Sequence, residues 1–287
     1  VSLDQYTGPP FQDFYTRLVQ LYGDNVFQGY AFTNQTICEP GFYCLADGIK
    51  RPCPRGRYGS TYGLSTSLCS GACEQGYYCP EGSPTAKQIP CGGVNVFCPR
   101  GSARPQYVNP GYYTIGSEDP KTRTAERLCE PGFYCQNGIK QLCLAGFYGS
   151  TFGLQVSNCT DVCLPGYYCP EGSISAKEIM CGDASRFCPG NSPRPINVTL
   201  GWYTTGGNES TRIGQAIAPK GYYAIKGLLY PCPAGYYGSE EGLYSPQCSG
   251  MCFVDGFFCP VASISPIMRF CGSDNFFCPA GTVAPLN

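Results

Sequence analysis

The sequence predicts a small disulfide-rich fold. It consists of short β-hairpins and irregular turns in three tandem units, arranged as an elongated rod, with one short N-terminal amphipathic helix. Three observations predict it. Cysteine is frequent and periodic, with 22 in 287 residues. Glycine (38) and proline (26) make up more than a fifth of the chain, which favours turns over long regular elements. Apolar content comes from 23 tyrosines and 16 phenylalanines rather than long aliphatic runs, so a thin core held by covalent staples is expected.

The cysteine period is close to 90 residues. Cys53, Cys69, Cys73, Cys79, Cys91 and Cys98 recur as Cys143, Cys159, Cys163, Cys169, Cys181 and Cys188. They recur again as Cys232, Cys248, Cys252, Cys259, Cys271 and Cys278. A fixed period means one structural unit copied in tandem, each copy touching mainly its neighbours. The first two copies open with an additional pair, Cys38/Cys44 and Cys129/Cys135, where the third copy carries Ala218 and Ala224. Joint loss strands no thiol, so it pairs Cys38 with Cys44 and Cys129 with Cys135. The Cys73–Cys79 phrase copies the Cys38–Cys44 phrase. Extending the local pattern to it leaves Cys53–Cys69 and Cys91–Cys98, each with its copies. The first loop of the third copy is expected to be looser, or held by packing alone.

Disulfides at this density imply an oxidising compartment: extracellular or cell-surface, reached through the secretory pathway. Zinc is the competing chemistry. The chain has no histidine and no C-x2-C pair, which disfavours it. Only 14% of residues are charged and the net charge is -1, which excludes a charged disordered tail and a basic nucleic-acid binder. No apolar run approaches the roughly 20 residues of a membrane helix. No signal peptide is visible, so Val1 reads as a mature terminus or the edge of a longer chain.

Residues 1–37 read as an assembly segment without cysteine. Phe11, Phe14, Tyr15, Leu18, Val19 and Tyr22 follow helical spacing, which predicts a helix over about residues 10–23, with Pro10 in its first turn and Gly23 at its stop. The apolar stripe either caps the first unit or docks on another subunit. Unit 1 spans 38–116, a connector 117–128, unit 2 129–206, a second connector 207–217, and unit 3 218–287 without the first disulfide. Each unit repeats the phrase C-x-x-G followed by aromatics. The glycine reads as a tight turn that permits positive φ, and the aromatics as a short strand. Units 1 and 2 end in Gly111-Tyr-Tyr-Thr and Gly201-Trp-Tyr-Thr, a tail that unit 3 lacks. A spare version, Gly29-Tyr30-Ala-Phe-Thr, precedes unit 1.

The phrases Cys232-Pro-Ala-Gly-Tyr-Tyr-Gly-Ser and Cys163-Leu-Pro-Gly-Tyr-Tyr-Cys-Pro-Glu-Gly-Ser resemble ephrin-receptor-like cysteine-rich repeats. These belong to the growth-factor-receptor and tumour necrosis factor receptor-like class. With Cys91-Gly-Gly-Val-Asn-Val-Phe-Cys-Pro-Arg-Gly-Ser, the context looks like large surface proteins of flagellate algae and water moulds. Some of those are associated with extracellular filaments such as flagellar hairs. The resemblance covers residues 38–287 and implies no catalytic residues. Related receptor modules imply a crossed pattern, Cys73–Cys91 with Cys79–Cys98, which stays open beside the local one.

Four sequons mark Asn34, Asn158, Asn197 and Asn208 for N-linked glycans, with Asn158 disfavoured by the adjacent Cys159. O-linked sugars fit the Ser- and Thr-rich connectors. Without histidine, the Ser-His-Asp and Cys-His arrangements are unavailable, so no enzymatic activity, cofactor or metal is expected. The expectation is a secreted, glycosylated structural protein that polymerises head-to-tail, through Phe11, Phe14, Tyr15, Leu18, Tyr22, Gly29 and Tyr30, into an extracellular fibre or sheath. The alternative is a receptor-like or adhesion ectodomain with a protein ligand.

Overall fold

A computed structural model of the protein describes residues 36–272 and 275–286. The helix expected over residues 10–23, the assembly residues Phe11, Phe14, Tyr15, Leu18, Tyr22, Gly29 and Tyr30, and the Asn34 sequon lie outside the described residues. The described residues divide into two compact units, 36–107 with 116–125, and 108–115 with 126–272 and 275–286.

The first unit holds four antiparallel hairpins, spanning 42–52, 57–72, 77–90 and 96–107. Most strands are only two or three residues long. Their brevity follows from the C-x-x-G phrase. Gly41, Gly56 and Gly76 have φ of 88°, 83° and 83°, the left-handed turn that glycine adopts without steric cost. Each glycine carbonyl closes its own hairpin, accepting from Cys53, Cys73 and Cys91 N–H at 2.7, 2.9 and 3.0 Å. Each glycine N–H reaches the next hairpin, donating to the carbonyls of Gly59, Cys79 and Cys98 at 2.7–2.8 Å. Consecutive hairpins are thus linked through main chain, and their approach is close. A Cβ on Gly41 or Gly56 would meet the carbonyl oxygen of Gly82 or Gly101 at 2.4 Å.

The second unit continues the plan, and its hairpins include those spanning 133–142, 147–162, 167–180, 186–197, 202–217, 222–231, 236–251 and 257–270. The glycine bonds recur: Gly132 N–H to Gly149 O at 2.8 Å, Gly146 N–H to Cys169 O at 2.8 Å, and Gly221 N–H to Gly238 O at 2.9 Å. Among the described residues no α-helix forms; one 3-10 turn occupies Pro120–Thr122.

Eleven disulfides pair all 22 cysteines, and none is free. The pairing is local throughout. Cys73 bonds Cys79 and Cys91 bonds Cys98, so the crossed arrangement implied by receptor modules is not the one adopted. Cys53–Cys69, Cys143–Cys159 and Cys232–Cys248 span longer loops. In these hairpins a glycine occupies the site where the other phrases carry the second cysteine. A Cβ on Gly59 would lie 2.7 Å from the Cys53 sulfur. The sulfur fills that space and turns to a more distant partner.

The core is sulfur rather than aromatic. Most cysteines are buried, joined by Val96, Phe97, Ala218 and Ala224, while the paired tyrosines and phenylalanines of the hairpins are only half-buried. A cysteine sulfur is compact enough to fill the narrow space between hairpins about two residues wide. An aromatic ring lies across the outside instead. Six buried hydroxyls complete the turns. Ser83, Ser102, Ser173, Ser192 and Ser263 each donate to the carbonyl of the proline three residues earlier at 2.6–2.7 Å, and Thr282 does so to Pro279. These hydroxyls satisfy buried carbonyls and are closed to O-linked sugars.

Ala218 and Ala224 do not loosen the first loop of the third copy. They are 0% and 1% exposed. Ala224 N–H donates to Leu243 O at 2.8 Å, as Cys135 N–H donates to Leu154 O at 2.8 Å. Packing and main-chain hydrogen bonds hold that loop without a disulfide.

The segments read as polar connectors are also structured. Gly92 and Cys98 N–H donate to Lys121 and Arg123 carbonyls at 3.0 and 2.9 Å. In the second unit Gly182 and Cys188 N–H donate to Ser210 and Arg212 carbonyls at 3.1 and 2.8 Å.

Candidate interaction surface

Three kinds of feature are exposed: sequons, ion pairs and apolar side chains. Asn158, Asn197 and Asn208 are all exposed. Asn197 ends a short strand and pairs with Arg186 across the 186–197 hairpin. Asn208 caps a turn, its Oδ1 accepting from Ser210 N–H and the Thr211 hydroxyl, both at 2.9 Å. That contact uses the amide oxygen, so the nitrogen that would carry a glycan is not the bonded atom. Thr160, the hydroxyl of the Asn158 sequon, accepts from Ser150 N–H at 3.1 Å.

Ion pairs mark the hairpin mouths. Lys140 bonds Glu130 at 2.8 Å and lies 4.0 Å from the Phe133 ring centroid. Glu130 also accepts from the Tyr113 hydroxyl at 3.0 Å. The Lys140 hydrogen bond is the main reason the Glu130 carboxyl titrates below its ordinary range. Lys50 repeats the arrangement in the first unit, pairing with Glu39 over the Phe42 ring. Such exposed pairs are screened by solvent and contribute little to stability. No cluster of His, Cys, Asp or Glu among the described residues has the arrangement of a metal site. Two shallow depressions, of about 410 and 350 Å³, are open to solvent; the second is lined by Arg100 and Arg104.

The apolar surface changes along the chain. Residues 72–107 expose two large apolar side chains, Ile89 and Tyr107. The equivalent stretch 162–197 exposes six, and 251–286 exposes eleven. Particular positions show how. Glu74 and Lys87 form a 3.5 Å ion pair in the first copy. The equivalent positions in the third copy are Phe253 and Ile267, 65% and 54% exposed. Pro90 becomes Met180 and then Phe270, the last 67% exposed. A concentration of this kind is characteristic of an interaction surface. Sequence reasoning did not single it out, because apolar residues at hairpin faces look like core until burial is known. The charge-to-apolar replacement between copies was the readable signal.

Eleven disulfides point to an extracellular or secreted protein. No helix among the described residues is long and apolar enough to cross a membrane. No family model matches the chain. A plant protein from Arabidopsis thaliana, described as white-brown complex homolog protein 30, is 30% identical to it over 154 residues. That similarity covers 49% of this chain and 12% of the plant protein, so the chain spans a small part of that relative.

Proposed function

We propose that this chain is a secreted, glycosylated structural protein that assembles head-to-tail into an extracellular fibre or sheath, as an elongated array of three cysteine-rich units. The observation that carries the reading is the concentration of exposed apolar side chains on the last hairpins, at Phe253, Ile267, Phe270 and Phe277. Positions that carry an ion pair in the first copy are apolar and exposed in the third. A contact between unlike surfaces is heterologous, and it propagates as a filament unless it closes into a ring. The absence of free thiols and the ladder of stapled hairpins suit a load-bearing role better than a catalytic one. N-linked glycans at the exposed Asn197 and Asn208 would solvate the flanks of such an array. Their presence is checked by mass spectrometry of native material, where bare amides at every sequon would reject the secretory route.

Negative-stain microscopy and small-angle scattering of the purified protein test the assembly. Filaments that vanish on deleting residues 1–28, leaving a disulfide-intact monomer, are the expected result. Truncated protein that still polymerises removes the N-terminal segment from the contact. The similarity to a small part of a longer plant protein supports the alternative, a receptor-like or adhesion ectodomain carried by a larger chain. Discrete rods that never polymerise at any concentration would favour that reading.

A further inference from the structure

The turn that follows the last cysteine of each copy is built alike and furnished differently. In the first copy it is Pro99-Arg100-Gly101-Ser102. Ser102 donates its N–H and its hydroxyl to the Pro99 carbonyl at 3.2 and 2.7 Å, and Gly101 takes φ of 82°. The hydroxyls of Ser192 and Thr282 bond the Pro189 and Pro279 carbonyls in the same way. The first turn is also tied to the preceding hairpin, by Gly101 N–H on Cys73 O at 2.8 Å and Cys79 N–H on Ser102 O at 3.0 Å. Arg100 at its tip and Arg104 just beyond it therefore stand on a fixed base, and both are exposed. With Gln106 they line the open depression of about 350 Å³, within the first unit.

Among the described residues no carboxylate answers these charges. Arg100 and Arg104 form no ion pair and no side-chain hydrogen bond there, and neither does Arg55. Glu74, next to the Cys73 carbonyl that holds the turn, is engaged by Lys87 at 3.5 Å. Arg55 is exposed and comes from a second hairpin. It precedes Gly56, where a Cβ would lie 2.4 Å from Gly101 O and 3.6 Å from Ala103 N. The Ala103 and Arg104 N–H groups also have no partner among the described residues. Successive unpaired N–H groups beside guanidinium groups favour an anion. The second copy keeps only Arg194 of this set. It has Ala145 and Gly190 for Arg55 and Arg100, and Pro193, which has no N–H, for Ala103. The third has Ala280 and Ala284 for Arg100 and Arg104.

We propose that Arg100 and Arg104, with Arg55 beside them, form a binding site for an acidic polysaccharide and take its sulfate or carboxylate oxygens. The planar guanidinium fork matches either group. The depression is open, so solvent screens each contact and a single small anion gains little. A polymer that presents the next charge as one is released offsets that weakness. A protein ligand fits less well. The lining has no large apolar side chain, and residues 72–107 expose only Ile89 and Tyr107 of that kind, so the apolar anchor of a protein interface is missing. The net charge of the chain is -1, so the attraction is local to this turn. The inference is independent of the head-to-tail reading.

The test measures binding of the full chain to immobilised dextran sulfate, polygalacturonate, neutral dextran and polyglutamate over a series of salt concentrations. Binding to dextran sulfate or polygalacturonate and not to neutral dextran is expected, and the polymer that binds names the anionic group. Arg100→Gly with Arg104→Ala should weaken it about tenfold, the scale of lost charge-assisted hydrogen bonds. The slope of log affinity against log salt should fall by about two, one counterion for each arginine. Both replacements already occur at the equivalent positions, Gly190 and Ala284, so the turn should be retained. Arg104→Lys, which keeps the charge without the fork, should keep the slope and lose part of the affinity. Arg194→Ala in the second copy should change neither. Binding to neither acidic polysaccharide overturns the proposal, as does a double variant that binds like the parent. An equal loss from Arg194→Ala overturns it too, since the binding would then be diffuse. Polyglutamate bound as tightly as the polysaccharides would reassign the site to an acidic protein segment.

Discussion

The 133–142 and 222–231 hairpins occupy equivalent places in consecutive copies and are built by different means. The first is stapled by Cys129–Cys135, carries the Glu130–Lys140 pair over Phe133, and turns through Asn137-Gly138. The second has Ala218 and Ala224 instead of the disulfide, Pro219 and Leu229 instead of the ion pair, and Lys226-Gly227 in the turn. Its Tyr223 and Tyr230 rings stack across the strands at 5.6 Å. The backbone is nevertheless the same, with four paired residues on each side in matching register. Each hairpin docks on the next through the same glycine N–H bond. The disulfide is therefore not what shapes this loop. The glycine and the neighbouring hairpin shape it, and the disulfide adds stability to a conformation already specified.

That contrast makes the glycine the largest expected effect. A Cβ would meet the Gly172 carbonyl at 2.5 Å from Gly132, and the Ala262 carbonyl at 2.6 Å from Gly221. Gly132→Val and Gly221→Val should each cost about 3 kcal/mol or more, combining a left-handed backbone with overpacking. Equal loss of amide protection in both hairpins, read by hydrogen exchange, is the expected outcome. A tolerated valine would break the comparison.

Exchanging the staples comes next. Cys129→Ala with Cys135→Ala should destabilise its hairpin by about 2 kcal/mol, the loop-closure value for so short a ring. The exchange pattern should then approach that of the 222–231 hairpin. The reverse change, Ala218→Cys with Ala224→Cys, should form a disulfide detectable by non-reducing peptide mapping. Failure of that bond to form would show that the two backbones are less alike than their registers indicate.

Acid should separate the two hairpins more modestly. Glu130 has a folded-state pKa held below the unfolded value by the Lys140 hydrogen bond. Its contribution is fully present above the unfolded value and is lost as pH falls through the lowered folded one. The expected loss is about 0.2–1 kcal/mol in the 133–142 hairpin, as for exposed pairs, and none from this source in the 222–231 hairpin. Lys140→Leu should abolish the difference in a pH series of exchange rates.

The smallest effect lies in the turns. Lys226 adopts φ of 49°, where Asn137 adopts 51° in the equivalent place. Lys226→Asn should recover part of the roughly 1–2 kcal/mol left-handed penalty, because asparagine tolerates that region. A thermal melt that fails to rise would assign the strain to a position other than the turn.

Much of this was legible in the residues themselves. The even cysteine counts and the paired loss at Ala218 and Ala224 point to the Cys38–Cys44 and Cys129–Cys135 bonds without reference to any contact, while the choice between Cys73–Cys79 and a crossed Cys73–Cys91 bond fell to the structure. The C-x-x-G turns and their following strands were readable because glycine has few other reasons to recur three residues after cysteine. Gly59 and its copies read only as loop glycines. Their role as the space a sulfur occupies depends on a side chain from another position in the hairpin.

By itself, then, the sequence determined the composition of each hairpin, its turn and its place in the repeat, because those features are local. Only the tertiary structure decided that sulfur rather than tyrosine fills the core, that the carbonyls of residues 121 and 123, and of 210 and 212, bond back to earlier hairpins, and that the last copy exposes an apolar surface. Those facts depend on which main-chain groups of successive hairpins face one another. Hydrogen bonding of this kind is nearly independent of side-chain identity, so it leaves little trace in a single sequence.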